Sequence, residues 1–145
     1  MPNRPGKAQM AAWRAFLTAH ARVTAALERE LLAERGLPLA WYDVLVQLSE
    51  APGGHLRMTD LAAAVLLSKS GLTRLVDRMA EAGLVDRSPS DADRRGRTVC
   101  LTAAGAARLR EAAPVHLQGI EEHFAGRLSE AEAWALAEVL SRVGP

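Results

Sequence analysis

Apolar residues recur along the chain at the spacing of amphipathic helices, and this pattern predicts six helices. The first stripe lies within residues 9–35 and ends at Gly36, a helix stop that is followed by Leu37-Pro38. A second stripe runs from Trp41 to Leu48 and ends before Pro52-Gly53-Gly54. His55–Arg57 is then predicted to be a short extended link, in the place of a first strand.

Two short helices are predicted in the middle of the chain, near Thr59–Leu66 and from Ser68 to Gly83. Ser68 is the expected N-cap of the fourth helix, because its hydroxyl can accept a bond from a free backbone N–H. Gly83 supplies the C-terminal stop. The buried face of this helix is expected to comprise Leu72, Leu75, Val76 and Met79.

A hairpin and two more helices complete the pattern. Leu84–Ser88 and Arg97–Leu101 are predicted to be strands joined by a polar loop. Thr102 is the expected N-cap of the fifth helix, which Pro114 should kink. Its apolar side is predicted to hold Leu109, Leu117, Ile120 and Phe124. The sequence Ser129-Glu130-Ala131-Glu132 predicts a capping box at the start of the sixth helix.

This order of elements predicts a mostly α fold with a small β-hairpin. The long terminal helices carry apolar faces that the small central part cannot cover. We therefore expect residues 1–36 and 102–145 to form a two-fold interface with a second copy of the chain. Residues 37–101 would form a separate lobe of the same single domain.

Composition and charge narrow the function only slightly. The 145 residues are 49% hydrophobic, enough for one domain with a core. The sequence holds no run of roughly 18 apolar residues and no signal-peptide pattern, and its single cysteine fits a reducing compartment, so we expect a cytoplasmic protein. The net charge is +1. Any nucleic-acid binding must therefore depend on where individual arginines point.

The fourth helix has a polar face opposite its apolar one. That face holds Ser70, Thr73, Arg74, Asp77 and Arg78, with Lys69 in the first turn. A solvated surface is the commonest meaning of such a face. Hydroxyl and guanidinium groups, however, are the types that contact bases and phosphates in the major groove of DNA. The tight Leu66-Leu67-Ser68 junction with the preceding helix also fits a helix-turn-helix.

The hairpin tip is rich in arginine, with the sequence Asp91-Ala92-Asp93-Arg94-Arg95-Gly96-Arg97. Asp93 could pair with Arg95 or Arg97 and simply close the turn. We expect both functions: Asp93 stiffens the tip, and Arg95 enters the narrow, electronegative minor groove.

These segments resemble the multiple-antibiotic-resistance-regulator (MarR) family of winged helix-turn-helix transcription factors. The resemblance rests on Leu61-Ala62, on Ser68 to Val85, on Asp93 to Arg97, and on Val99-Cys100-Leu101-Thr102-Ala103-Ala104-Gly105. It covers nearly the whole chain. It implies a homodimer that binds a palindromic site on double-stranded DNA, usually as a repressor that a small ligand releases.

The resemblance also implies roles for individual residues. The recognition helix would carry Ser68, Lys69, Ser70, Thr73, Arg74 and Arg78, and the wing Arg94, Arg95 and Arg97. Family members often bind aromatic effectors in a crevice beside the dimerisation helices. Here its lining would be Trp13, His20, Trp41 and Tyr42, although aromatic residues at helical spacing more often belong to a core.

Other chemistries find little support in the sequence. Cys100 lies on the second hairpin strand, where it is expected to pack as a small apolar residue rather than to sense oxidants. The histidines are scattered, and the spacing of His116 and His123 fits zinc poorly, so we expect neither a metal nor a cofactor. The sequence places no base near a possible nucleophile, so it does not indicate an enzyme. The alternative to an operator-binding regulator is an architectural or protein-interaction module on the same fold.

Overall fold

The computed structural model of the chain describes residues 3–66, 70–89 and 97–145. Within these ranges the helices are α1 (Lys7–Arg35), α2 (Leu39–Glu50), α3 (Met58–Ala64), α4 (Leu72–Glu81), α5 (Ala103–His123) and α6 (Glu130–Ser141). The strands are β1 (His55–Arg57), β2 (Val85–Pro89) and β3 (Arg97–Leu101). The predicted order and the mostly α class are confirmed. Among the described helices, none has the length and apolar character needed to cross a membrane.

The chain divides into two compact units. The terminal unit comprises Met1–Glu30 and His116–Pro145, and the central unit comprises Leu31–Val115. The assignment of residues 1–36 and 102–145 to dimerisation remains a prediction.

The central unit holds the main apolar core and the sheet. Its strands lie in the order β1-β3-β2, and both pairings are antiparallel. The segment expected as an extended link is therefore a paired strand, with His55 opposite Cys100. The core is formed by fully buried aliphatic side chains from the helices and the sheet: Leu31, Leu37, Val44, Leu45, Leu48, Leu61, Val65, Val76, Met79, Val85 and Val99.

The helix α4 begins three residues later than the sequence predicted, with Gly71 rather than Ser68 as its N-cap. Gly71 precedes it with φ 72° and ψ 17°, a left-handed conformation that glycine adopts without steric cost. The first helical bond runs from the Leu75 N–H to the Gly71 carbonyl at 3.0 Å. The prediction of Ser68 as N-cap is therefore wrong, because Gly71 holds that position. Leu75 is half-buried rather than fully buried.

The end of α4 is fixed by backbone hydrogen bonds around Gly83. The Leu84 N–H donates to the Met79 carbonyl and the Gly83 N–H to the Ala80 carbonyl, each at 3.0 Å. With Gly83 at φ 78°, this is a Schellman motif, so the predicted glycine stop is confirmed. The motif turns the chain directly into β2, which begins at Val85.

The start of α5 packs closely against this same turn. The Thr102 Oγ1 accepts the Gly105 N–H at 3.0 Å, which confirms the predicted N-cap, and its hydroxyl donates to the Gly83 carbonyl at 2.7 Å. A Cβ on Gly105 would lie 2.1 Å from the Leu84 carbonyl oxygen, so this contact requires glycine.

The last two helices follow the sequence closely. α5 runs through Pro114 to His123, so Phe124 lies one residue beyond its end. Ser129 caps α6: its Oγ accepts the Glu132 N–H at 3.2 Å, and the Glu132 carboxylate accepts the Ser129 N–H at 2.8 Å. The predicted capping box is confirmed.

Candidate nucleic-acid interface

Helices α3 and α4 face each other across a shallow groove in the central unit. The groove has a volume of about 480 Å³ and is lined by Met58, Thr59 and Ala62 of α3 and by Gly71, Leu72, Thr73 and Arg74 at the start of α4. The two helices are thus neighbours joined by a short junction, as the helix-turn-helix prediction requires. Thr73 and Arg74 lie at the edge of this groove.

The two faces of α4 differ sharply in chemistry. Leu72, Val76 and Met79 are buried in the core. The opposite face exposes Thr73, Arg74, Asp77 and Arg78. Since all four side chains were predicted to be exposed, α4 presents the expected hydroxyl and guanidinium groups to solvent. Ser70 is also exposed, but it lies in the turn before α4, and Ser68 and Lys69 lie outside the described residues.

A buried aspartate anchors the backbone just after α3. The Asp43 side chain belongs to α2, and its Oδ2 accepts the Leu66 N–H at 2.9 Å. Asp43 is only 7% exposed, whereas Leu66 is 81% exposed. Asp43 was not predicted from the sequence as part of the site. Its signal was a single acidic residue between Tyr42 and Val44 in an otherwise apolar part of α2.

An ion pair connects α4 to the sheet. Arg87 of β2 donates through Nη1 to the Asp77 Oδ1. The Arg87 side chain is 14% exposed and that of Asp77 is 50% exposed. Asp77 therefore stands on the exposed face of α4 with its charge paired. No local pattern in the sequence indicates a role for Arg87, because its partner lies on another element.

The strands of the predicted wing pair as expected. β2 and β3 are antiparallel, in register from Val85 opposite Leu101 to Pro89 opposite Arg97. Asp93, Arg94 and Arg95, predicted for the tip, lie outside the described residues. Their roles remain predictions, as does that of Arg97, whose backbone begins β3.

Two of the predicted effector residues belong to the terminal unit. Trp13 is 51% exposed, and its ring centroid is 6.2 Å from that of Phe16. His20 lines a cavity of about 540 Å³. The other lining residues are Ala12, Ala15, Phe16, Ala19, Val23, Thr24, Phe124, Leu136, Val139 and Leu140, so the surface is mainly apolar.

The other two predicted effector residues belong to the central unit. Trp41 is half-buried and Tyr42 is 7% exposed. Burial, and then the negative charge of Glu50, raise the pKa of the Tyr42 phenol. The phenol is therefore neutral at physiological pH.

Comparison with known proteins gives consistent matches. Residues 35–96 match the MarR_2 model, described as the MarR family. The chain is similar to AbsC, a MarR family transcriptional regulator from Streptomyces coelicolor: its crystal structure has 36% sequence identity and a TM-score of 0.85, covering 95% of this chain and 93% of AbsC.

Two further matches point in the same direction. Sco3205, a MarR family transcriptional regulator from Streptomyces coelicolor crystallised in complex with DNA, has 30% identity and a TM-score of 0.88, covering 97% of this chain and 88% of Sco3205. The transcriptional regulator HosA of Escherichia coli O157:H7 is 32% identical over 102 residues, which are 70% of this chain and 73% of HosA.

Proposed function

Because the chain belongs to the MarR family of DNA-binding transcriptional regulators, we propose that it acts as a dimeric repressor on a palindromic operator and that a small ligand releases it. Its relatives are transcriptional regulators, so the chain is a regulator and not an enzyme. The observation that carries the proposal is the exposed Thr73, Arg74 and Arg78 face of α4, directly opposite a fully packed apolar face.

The dimensions of α4 suit a major groove. Its 10 residues span about 15 Å, and the groove of B-DNA is about 12 Å wide. An arginine can donate two hydrogen bonds to the O6 and N7 atoms of guanine, and a threonine can contact bases or phosphates. We assign base contacts to Arg74 and Arg78, with Thr73 beside them.

The segments that flank α4 complete the proposed footprint. Lys69 would contact a phosphate, and Ser68 and Ser70 would lie beside the same groove. Arg95 would enter the flanking minor groove, with Arg94 and Arg97 along the backbone and Asp93 as a brace. These assignments rest on the family resemblance.

The terminal unit supports the dimer. Its surface exposes these large apolar side chains: Trp13, Phe16, Leu17, Leu117, Phe124, Trp134, Val139, Leu140 and Val143. A second copy of the same unit would cover them through a two-fold interface. Two α4 helices would then enter successive major grooves, about 34 Å apart.

Release by a ligand requires that the ligand binds the DNA-incompetent state better than the competent one. We keep Trp13, His20, Trp41 and Tyr42 as the residues that would contact a small aromatic effector. Titrating the operator complex with a panel of aromatic acids, one at a time, tests this part of the proposal. Weaker DNA binding with one acid, and not with its non-aromatic analogue, is the expected result.

The DNA contacts are tested by fluorescence anisotropy with a labelled duplex from the region upstream of the protein's own gene. Arg74→Ala and Arg78→Ala should each cost roughly 1–3 kcal/mol of operator affinity. Arg95→Ala should cost a similar amount if it occupies the minor groove. Arg142→Ala, an exposed arginine beyond the end of α6, is the matched control and should leave affinity unchanged.

Equal affinity of the two α4 variants and the control would refute the proposed recognition helix. The same titrations against an unrelated duplex, at several salt concentrations, separate a specific regulator from an architectural module. A regulator should prefer its operator by at least roughly 1,000-fold, whereas a module that binds only phosphates should show similar affinity and salt slope for both duplexes.

A further inference from the structure

Three side chains with metal-binding atoms converge in the terminal unit. Glu30 of α1 and Glu122 and His123 of α5 place their ligand atoms within 4.8 Å of one another. The His123 Nε2 lies 2.5 Å from the Glu30 Oε1. Because these two residues are 93 positions apart in sequence, no spacing motif could reveal the cluster.

Two of the three groups are held in place by their surroundings. The side chains of His123 and Glu30 are only 23% and 30% exposed. One turn before His123, a Cβ on Gly119 would lie 2.9 Å from the Glu30 Oε2 and 2.6 Å from the Leu27 Cδ2. The Glu30 carboxylate therefore occupies space left open by a glycine, unlike an acidic side chain that is free in solvent. Glu122 is exposed and can turn toward the other two.

We propose that Glu30, Glu122 and His123 form a binding site for a divalent transition-metal ion, with zinc as the best match. One imidazole nitrogen and two carboxylates suit zinc, whereas magnesium and calcium prefer oxygen ligands alone. Three protein ligands leave one tetrahedral position for water.

The observed distances fit this chemistry after small side-chain movements. Bonds of about 2.0–2.1 Å in a tetrahedron place ligand atoms about 3.4 Å apart. The ion would take the place of the hydrogen between the His123 Nε2 and the Glu30 Oε1, and these atoms would separate by about 1 Å. Any proton bound by the pair is released to solvent, since metal ligands must be deprotonated.

The site goes beyond the proposed DNA-binding function, because all its ligands belong to the terminal unit and the proposed DNA contacts do not. Metal binding would join the α1 and α5 parts of that unit. Since the two helices come together only in the folded chain, the ion should stabilise the folded state.

The test is isothermal titration of the chelator-treated full-length protein with zinc chloride, followed by the visible absorption spectrum with cobalt(II). The native chain should bind one zinc ion per chain, and its melting temperature should rise with zinc. His123→Ala and Glu30→Gln should weaken binding by at least roughly tenfold, because each removes one ligand. His55→Ala is the matched control: it removes an exposed histidine of the central unit and should bind zinc like the native chain.

Glu122→Gln keeps the test decisive if either half-buried variant, His123→Ala or Glu30→Gln, fails to fold, because Glu122 is exposed and its loss should not disturb packing. It should also weaken binding and alter the cobalt spectrum. The proposal is overturned if the native chain binds no zinc at micromolar concentrations. It is equally overturned if Glu122→Gln and His123→Ala bind zinc as well as His55→Ala, which would indicate adventitious surface binding only.

Discussion

Tyr42 is the chain's single tyrosine, and its phenol is buried in α2. Burial, and then the charge of Glu50, raise its pKa above the ordinary value of about 10. The unfolded chain therefore loses the phenol proton at a lower pH than the folded chain. Below a pH of about 10 the phenol is protonated in both states, so it adds no pH dependence to the free energy of unfolding. Above that pH, the free energy of unfolding falls as pH rises through the folded-state pKa of Tyr42.

We expect Tyr42→Phe to lose less stability than the native chain above pH of about 10, because phenylalanine has no proton to release. Urea unfolding at neutral and alkaline pH measures this difference. With only one tyrosine present, phenolate absorbance follows the same group directly. Identical titration curves for the native and urea-unfolded chains would contradict the argument.

Gly105 is required by a close contact with the backbone and not by a positive φ. Alanine in a helix normally gains up to about 1 kcal/mol over glycine. Here the added Cβ would meet the Leu84 carbonyl oxygen at 2.1 Å, and a backbone atom cannot move aside as a side chain can. Gly105→Ala should therefore lower the free energy of unfolding by about 1–3 kcal/mol.

Urea unfolding of Gly105→Ala beside Ala104→Gly tests this balance. Ala104 is the exposed neighbour in the same turn, so its change to glycine measures helix propensity alone. A stability gain in Gly105→Ala would mean that α5 and the turn before β2 can separate at no cost.

At the scale of elements, the Asp77–Arg87 ion pair joins α4 to β2, and its partners are unequally buried. Asp77→Asn leaves a largely buried guanidinium without its carboxylate. Since water still reaches Asp77, we expect a loss of about 1–2 kcal/mol of stability rather than the larger cost of a fully buried pair. Arg87→Met instead leaves Asp77 solvated, so its effect on stability should be smaller.

The two substitutions should rank in the opposite order when their effect on DNA affinity is measured instead of their effect on stability. Arg87→Met leaves an unpaired negative charge on the exposed face of α4, where it would repel phosphates. Asp77→Asn removes that charge. We expect anisotropy titrations to show the larger loss of affinity for Arg87→Met, with Arg110→Met, an exposed arginine of α5, as control. The same order in both measurements would show that the pair acts on DNA binding only through stability.

The elements themselves were largely predictable, whereas the contacts between them were not. Apolar periodicity identified the helices. Local chemistry identified Gly83 as a helix stop and Thr102 and Ser129 as N-caps. The start of α4 was misplaced because a good N-cap residue, Ser68, precedes a glycine whose left-handed conformation depends on the surrounding fold. Such a conformation leaves no periodic signal in the sequence.

The residues of the candidate site likewise fall into two groups: those that the sequence predicts and those that only the fold brings together. The exposed Thr73, Arg74 and Arg78 face follows from helical spacing alone. Asp43 and Arg87 were missed, because each acts through a partner on another element. The cluster of Glu30 with His123 was missed for the same reason: a ligand search by spacing covers only residues close in sequence.

At the scale of the whole molecule, the terminal unit leaves large apolar side chains exposed to water, which costs free energy. Trp134 of α6 is 72% exposed and Leu140 is 38% exposed. Leaving a large apolar side chain in water costs about 1.5–3 kcal/mol relative to its burial. A second copy of the unit would remove several of them from water at once, which is why we tie DNA binding to dimerisation.

Trp134→Glu should shift the chain toward monomer, because it places a charge within the proposed interface. Sedimentation equilibrium should give twice the chain mass for the native protein and a lower average mass for the variant. Operator affinity should fall by about 100-fold or more, because one α4 helix would no longer hold the other at a high effective concentration. Glu138→Gln, an exposed polar change in the same helix, should alter neither quantity. A monomeric variant with native operator affinity would instead mean that a single α4 and wing supply the binding energy, and the palindromic site would lose its physical basis.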